Sequence, residues 1–308
     1  MNETSSKEAR GVYAASLTPM TAAGEPDVEA FLAHSRWLLA EGCNGLGILG
    51  TTGEANSLPL TSRIELIAAA AAKFPPEKLM PGTGSSALAD AIVLTEVAVA
   101  AGAYNVLVLP PFYYKPASEE GIYRFFARLI EAVGDGRLRI FLYNFPQLTG
   151  FSFSVAFVGR LVTAFPEVIA GMKDSSGDYA HMEAIAKAFP SFAMFAGTEK
   201  FLLPILRAGG VGCITATANA TARLCQDVYT GWRTSDAKLE AAQARLSAAR
   251  TALEAFPMVP VMKSFTAMRT GDKRWLNMLP PNVPLAPADE AKLATVLAQI
   301  KLPNMPPR

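Results

Sequence analysis

Lys173 closes a short apolar run, Ile169-Ala170-Gly171-Met172, and the polar turn Asp174-Ser175-Ser176-Gly177-Asp178 follows at once. The run reads as a buried parallel strand, and the turn as the entry to a loop and helix. A lysine at the carboxyl end of such a strand carries its amine into a barrel mouth or cleft. Burial there is costly unless the amine is paired or gives up its proton. A neutral lysine amine attacks carbonyl carbon. The ends of the other apolar runs supply mainly hydroxyls: Thr18, Thr51, Thr52, Thr83, Tyr113, Tyr143, Thr198 and Glu199 after Gly197, and Thr215 or Thr217. They hold no cluster of carboxylates or imidazoles, so metal-assisted and two-carboxylate mechanisms lose ground. Schiff-base chemistry gains: an amine forms the imine, a phenol moves protons, and hydroxyls or backbone N–H groups hold a carboxylate.

The elements that must position these residues alternate regularly. Strand patterns fall at 12–19, 46–49, 78–81, 106–109, 139–144, 169–173, 192–197 and 211–218. Asp27 caps a helix that Gly42 stops. Ser62 and Glu65 form a capping box for the next. Ser118 caps a third whose Ile122, Phe125, Phe126, Leu129, Ile130 and Val133 recur at helical spacing. Further helices are expected at 88–101, 155–165, 179–189 and 201–206. Eight strand–helix units predict a parallel sheet closed into a (β/α)8 TIM barrel, whose chemistry sits at the carboxyl ends of the strands. The expected organisation is a polar N-terminal tail at 1–10, a barrel catalytic domain at 11–225, and an apolar helical appendix at 226–308 packed on the barrel.

Composition narrows the function classes. Of 308 residues, 51% are hydrophobic and 18% charged, which suits a large packed core and argues against disorder. The formal net charge of +1 implies no global attraction to nucleic acid or to an acidic membrane. Residues 1–10 lack the apolar segment of a secretory signal, and no stretch reaches the length of a membrane span. Cys43, Cys213 and Cys225 are odd in number and show no CxxC spacing, which suits a reducing, cytoplasmic setting. His34 and His181 are the only histidines, and both read as packing or surface residues. No metal site and no Ser-His-Asp triad are expected.

Three motifs in order, Gly50-Thr51-Thr52-Gly53-Glu54, Tyr143-Asn144-Phe145-Pro146 and Gly171-Met172-Lys173-Asp174, give the chain a strong resemblance to the pyruvate-dependent class I aldolases. That family includes N-acetylneuraminate lyase and dihydrodipicolinate synthase, and the resemblance covers nearly the whole chain. It implies that Lys173 forms a covalent imine with pyruvate, so that no cofactor is needed. It implies that Tyr143 shuttles protons, and that Thr51 and Thr52 bind the pyruvate carboxylate and orient Tyr143. Tyr113 matches a family tyrosine that in several members reaches a neighbouring subunit's site, and homotetramers are usual. The catalytic set is therefore Lys173, Tyr143 and Thr52. The substrate-binding set is Thr51, Thr52, Tyr113, Ser175, Gly197, Glu199 and Ile214.

Departures from the family pattern bear on the substrate. Leu148 stands where dihydrodipicolinate synthases carry an arginine for the aldehyde substrate's carboxylate, and leucine cannot form that bidentate pair. Gly197-Thr198-Glu199-Lys200 keeps one acidic residue of the pair expected in neuraminate lyases and puts a lysine at the other. Tyr143-Asn144-Phe145-Pro146-Gln147-Leu148-Thr149-Gly150 looks most like aldolases of 2-keto-3-deoxy sugar acids. The expected activity is cleavage or formation of the bond between pyruvate and an aldehyde. The alternatives are neuraminate lyase or dihydrodipicolinate synthase activity, a 5-keto-4-deoxyglucarate-type dehydratase, and a non-catalytic keto-acid-binding paralogue.

Overall fold

The computed structural model describes residues 9–303. Among them seven strands form one all-parallel sheet: β1 (Gly11–Ala15), β2 (Gly45–Gly47), β3 (Asn105–Val108), β4 (Arg139–Asn144), β5 (Ile169–Asp174), β6 (Ala193–Ala196) and β7 (Gly212–Thr215). Their spatial order is β2-β1-β7-β6-β5-β4-β3, which is a barrel lacking one strand between β2 and β3. The predicted third strand, at 78–81, occupies that gap without becoming a strand. It touches each neighbour at single bridges, Leu46 with Leu79 and Gly82 with Leu107. Met80 and Gly82 donate to the Leu46 and Ile48 carbonyls at 2.9 and 2.8 Å, and Leu107 donates to the Pro81 carbonyl at 2.9 Å.

The cause of this departure from eight strands lies in the residues themselves. Pro81 has no N–H to give a ladder. A Cβ on Gly82 or Gly84 would lie 2.3 Å from the Leu49 carbonyl oxygen or 2.4 Å from the Leu109 nitrogen, so the chain crosses its neighbours closer than a regular strand permits. Buried Arg63 then donates to the carbonyls of Gly82 and Gly84 at 3.0 and 3.1 Å, substituting for ladder partners.

The barrel's outer layer comprises α1 (Val28–Ala40), α2 (Leu60–Ala71), α3 (Leu88–Ala100), α4 (Glu119–Val133), the single turn α5 (Pro146–Thr149), α6 (Val155–Ala164), α7 (Tyr179–Ala188) and α8 (Leu202–Arg207). Asp27 caps α1 through the Ala30 N–H, and Ser118 caps α4 through the Gly121 N–H, as the sequence predicts. The Ser62–Glu65 capping box does not form. α2 starts three residues earlier, at Leu60 behind Pro59, whose φ of −64° already suits a helix entry and which makes no side-chain cap. α4 buries Ile122, Phe125, Phe126 and Leu129 on one face. Full burial of each such side chain contributes about 1.5–3 kcal/mol.

Four more helices follow among the described residues: α9 (Ala218–Thr234), α10 (Leu239–Leu253), α11 (Met258–Thr270) and α12 (Pro287–Ile300). α9 runs unbroken through residue 225, where the sequence pattern placed the end of the barrel, and it packs on β1. α10 and α11 pack against α9, and α12 against α10. Ala9 is buried in the barrel interior, while residues 1–8 of the expected tail lie outside the described residues. No helix among the described residues is long and apolar enough to cross a membrane.

Strand alternation divides the core in two. Ile140, Leu142 and Met172 face outward into the layer beneath the helices. Phe141 and Tyr143 face inward, with Tyr13, Leu107, Phe195 and Ile214. Lys173 follows the outward Met172 and so points inward, because successive side chains on a strand take opposite faces.

Candidate active site

β4 and β5 pair with Tyr143 opposite Lys173, so the two inward side chains meet at the carboxyl mouth of the barrel. Each is 4% exposed, and the Lys173 Nζ lies 4.2 Å from the centre of the Tyr143 ring. Burial by itself raises the Tyr143 phenol. The Lys173 charge beside it and hydrogen bonds with Thr51, Lys173 and Ser175 outweigh burial, so the hydroxyl titrates below its ordinary value.

The loop after β2 supplies the hydroxyls. Leu49 and Glu54 take left-handed φ values of 56° and 55°. The turn between them closes with the Glu54 N–H on the Thr51 carbonyl at 3.1 Å and the Ala55 N–H on the Gly50 carbonyl at 3.3 Å. This turn sets the Thr51 Oγ1 3.4 Å from the Tyr143 hydroxyl and puts Thr52 in the wall beside it.

Lys173, Tyr143, Thr51, Thr52, Ser175 and Gly197 all line one cavity of about 390 Å³. Gly197 is required by close approach: a Cβ there would lie 2.3 Å from the Ser175 Oγ and 2.5 Å from the Asp174 carbonyl oxygen. A buried amine, a phenol of altered acidity and two threonine hydroxyls in one cavity can bind a keto acid and move a proton beside it. A larger cavity of about 990 Å³ opens at the opposite, amino ends of the strands. Asn105, Arg139, Ile169, Ala193 and Val211 line it, and it contains neither the amine nor the phenol. Barrel chemistry sits at the carboxyl ends, which favours the smaller cavity. Among the described residues no group of three or more His, Cys, Asp or Glu could hold a metal ion.

Three residues of the expected substrate-binding set do not line the cavity. Ile214 is buried deeper, in the barrel interior with Tyr13 and Phe195. Glu199 is fully buried and does not line the cavity. Its carboxylate accepts from Thr215 at 2.6 Å, from Thr217, and from Thr221 at 3.1 Å, which explains its tolerance of burial. Tyr113 is 75% exposed and meets Tyr114 edge-on, with ring centres 5.2 Å apart.

Several contributors escaped the sequence reading. The cavity lining also includes Lys200 and Phe201 after β6, and Arg250, Glu254, Met258 and Val259 from the C-terminal helices. Beneath Lys173, fully buried Asp174 accepts from the Asn144 Nδ2 at 2.9 Å and from the Ser176 N–H at 2.7 Å. His181 reaches the same carboxylate through Nδ1 at 2.7 Å and the Phe153 carbonyl through Nε2 at 2.7 Å. A carboxylate and a carbonyl both only accept, so both ring nitrogens donate and His181 is an imidazolium. The hydrogen bond to Asp174 raises the His181 pKa in agreement with that state. The signal available in the sequence was a histidine on the first turn of the helix that follows Asp174. His34 is instead a packing residue, buried between Trp37 and Trp275 and held neutral because burial lowers its pKa to about 4.

The model of the dihydrodipicolinate synthetase family matches residues 8–301. A protein named as an uncharacterized DapA-like lyase of Chloroflexus aurantiacus is 32% identical over 94% of this chain and 96% of its own. A 4-hydroxy-tetrahydrodipicolinate synthase of Agrobacterium fabrum is 35% identical over 96% of this chain and 99% of its own. Among solved structures, the Escherichia coli K12 prophage protein YagE, in complex with pyruvate, superposes with a TM-score of 0.87 at 29% identity, over 95% of this chain and 99% of that one.

Proposed function

The chain belongs to the dihydrodipicolinate synthetase family and is a carbon–carbon lyase of the pyruvate-dependent class I aldolase type, and from that premise we propose that it cleaves or forms 2-keto-3-deoxy sugar acids through an imine on Lys173. The observation that carries the proposal is the in-register meeting of Lys173 and Tyr143, both buried, in one cavity with Thr51 and Thr52.

The neutral amine attacks C2 of the keto acid. The carbonyl oxygen takes one proton from the amine and one from the Tyr143 hydroxyl and leaves as water, giving a protonated imine and a Tyr143 phenolate that can act as base. Tyr143 takes the proton from the C4 hydroxyl as the C3–C4 bond breaks. The bond's electron pair moves into a C2–C3 double bond, the imine nitrogen takes the π pair, and C4 departs as an aldehyde. Tyr143 returns its proton to C3, and water hydrolyses the imine to release pyruvate. Thr51 and Thr52 hold the carboxylate so that C2 faces the amine.

Leu148, 43% exposed, supports the sugar-acid reading because it offers no cation for a second carboxylate. The Agrobacterium relative's name favours a second reading, condensation of pyruvate with aspartate semialdehyde. We further propose a cytoplasmic homotetramer. The free, buried state of Cys43, Cys213 and Cys225 and the exposed Tyr113–Tyr114 pair support that proposal.

The test is borohydride reduction in the presence of pyruvate, followed by peptide mapping. The expected result is a lactyl-type adduct on the peptide bearing Lys173. A label on Lys115 or Lys200 instead would overturn the mechanism. A screen of 2-keto-3-deoxy acids for pyruvate release then tests the substrate class.

A further inference from the structure

Part of the lining of the cavity that holds Lys173 is built by the C-terminal helices, and its charges are already balanced. Lys200 pairs with Glu254. Arg250 donates through Nε to the other Glu254 oxygen at 3.1 Å. Its NH1 is committed to Thr215 at 3.2 Å, Thr217 at 3.1 Å and Glu199 at 3.4 Å. Two cations thus face two carboxylates, and among the described residues no cation in this part of the lining lacks a carboxylate.

Glu254 is the carboxylate that the cavity reaches. It lines the cavity with its side chain 33% exposed, whereas Glu199 is wholly covered. Burial on its own raises the Glu254 carboxyl, but hydrogen bonds from Lys200 and Arg250 bring it below its ordinary value and keep it charged. Phe201, Met258 and Val259 add apolar surface beside it.

We infer that Glu254, with Lys200, reads a neutral polyhydroxylated tail on the aldehyde half of the substrate and disfavours a tail ending in phosphate or a second carboxylate. The inference rests on the aldolase reading above and specifies the substrate class of the same site. A hydroxyl both donates and accepts, so it can bond the Glu254 carboxylate and the Lys200 ammonium together without breaking their pair. An anionic tail cannot donate to Glu254. It must compete with that carboxylate for both cations at close range, and like charges brought together in a partly dry cavity repel. The C–H faces of a polyol chain meanwhile find apolar contact on Phe201, Met258 and Val259.

The experiment condenses pyruvate with either of two aldehydes, D-glyceraldehyde or D-glyceraldehyde 3-phosphate, which share a skeleton and differ in the charged tail. The wild-type enzyme is expected to favour the neutral aldehyde in kcat/KM by about tenfold or more, one charge interaction's worth. Glu254→Gln should raise KM for the neutral aldehyde and move the preference about tenfold toward the phosphorylated one, because Lys200 is then free to bind it while Arg250 keeps its pairing with Glu199. Lys200→Gln should move the preference the opposite way. A wild-type enzyme that prefers the phosphorylated aldehyde overturns the inference, as does a preference that neither substitution moves. Borohydride trapping of pyruvate alone by the wild-type enzyme reads only the amine end. Its absence overturns the aldolase reading itself. Trapping with the wrong preference, or with no turnover of either aldehyde, overturns the tail assignment alone.

Discussion

Lys263 and Glu54 form an ion pair in which neither side chain is exposed to water. The Lys263 ammonium also donates to the Asn277 carbonyl at 2.7 Å, and the second Glu54 oxygen accepts from the Leu279 N–H at 2.8 Å. Burial lowers the Lys263 pKa, and Glu54 opposes that shift. Glu54 closes the turn that carries Thr51 and Thr52, so α11 fastens the hydroxyl-bearing loop from outside the barrel.

Breaking that pair from one side leaves a buried charge alone. Glu54→Gln and Lys263→Met are each expected to cost about 3–5 kcal/mol in urea unfolding, and the double substitution less than the sum of the two. The enzyme that remains folded should show a raised KM for pyruvate, because the Thr51–Thr52 turn is loosened. Single-variant losses within ordinary surface values, about 0.5 kcal/mol, would show that the pair carries no stability.

The amine and the phenol have separable roles. Lys173→Ala should abolish both pyruvate trapping and turnover. Tyr143→Phe should retain some trapping while lowering kcat by about 100- to 10,000-fold, the usual worth of a positioned proton-transfer group. Full activity in Lys173→Ala would sink the imine mechanism.

His181 should make stability depend on pH in a predictable direction. Its folded pKa lies above the unfolded value of about 6.5, so its contribution is complete below that value and is lost as pH rises through the folded pKa. The difference in urea midpoint between the wild-type protein and His181→Gln should therefore shrink on the alkaline side. A difference that grows with pH contradicts the imidazolium assignment.

Leu148→Arg should not by itself create efficient condensation of pyruvate with aspartate semialdehyde. One cation at an exposed position of the single turn α5 leaves the lining residues Lys200, Arg250 and Glu254 unchanged. Coupled assays of that condensation in both proteins decide the matter. A high rate in the wild-type enzyme favours the synthase reading.

The exposed Tyr113–Tyr114 pair is expected to lie at a subunit boundary, since tyrosine is enriched at interfaces. Sedimentation at micromolar concentration should find a tetramer, and replacing both tyrosines with alanine should shift it toward smaller species. A monomeric wild-type protein contradicts the expectation.

Legibility in the sequence followed locality. Tyr143 and Lys173 could be placed in the barrel mouth because each ends its own short apolar run, and a period of two fixes which face it takes. The segment around Leu79–Thr83 read as a strand because its apolar residues resemble one, while the cost of Pro81 and the glycines beside it appears only when neighbours close in. Glu199 sits at a strand end as predicted, but its direction depends on three threonines of a later strand and helix. Arg250 and Glu254 belong to helix α10 and its end, far along the chain from Lys173, and no strand-end pattern marks them. Ser62 had the letters of a capping box, but Pro59 had already begun the helix.

The segment that stands in for the missing strand has a dynamic consequence. Between β2 and β3 the barrel is laced by isolated backbone bonds and by Arg63 rather than by a continuous ladder. Amides there are expected to be the first of the barrel's to exchange with deuterated solvent, because local opening begins where cooperative pairing is thinnest. That seam adjoins the Thr51–Thr52 turn, which hangs on the Glu54–Lys263 anchor outside and on Tyr143 within. A molecule seated against those threonines therefore stitches the wall at its weakest line, and its arrival is legible as slowed exchange at Met80, Gly82 and Leu107.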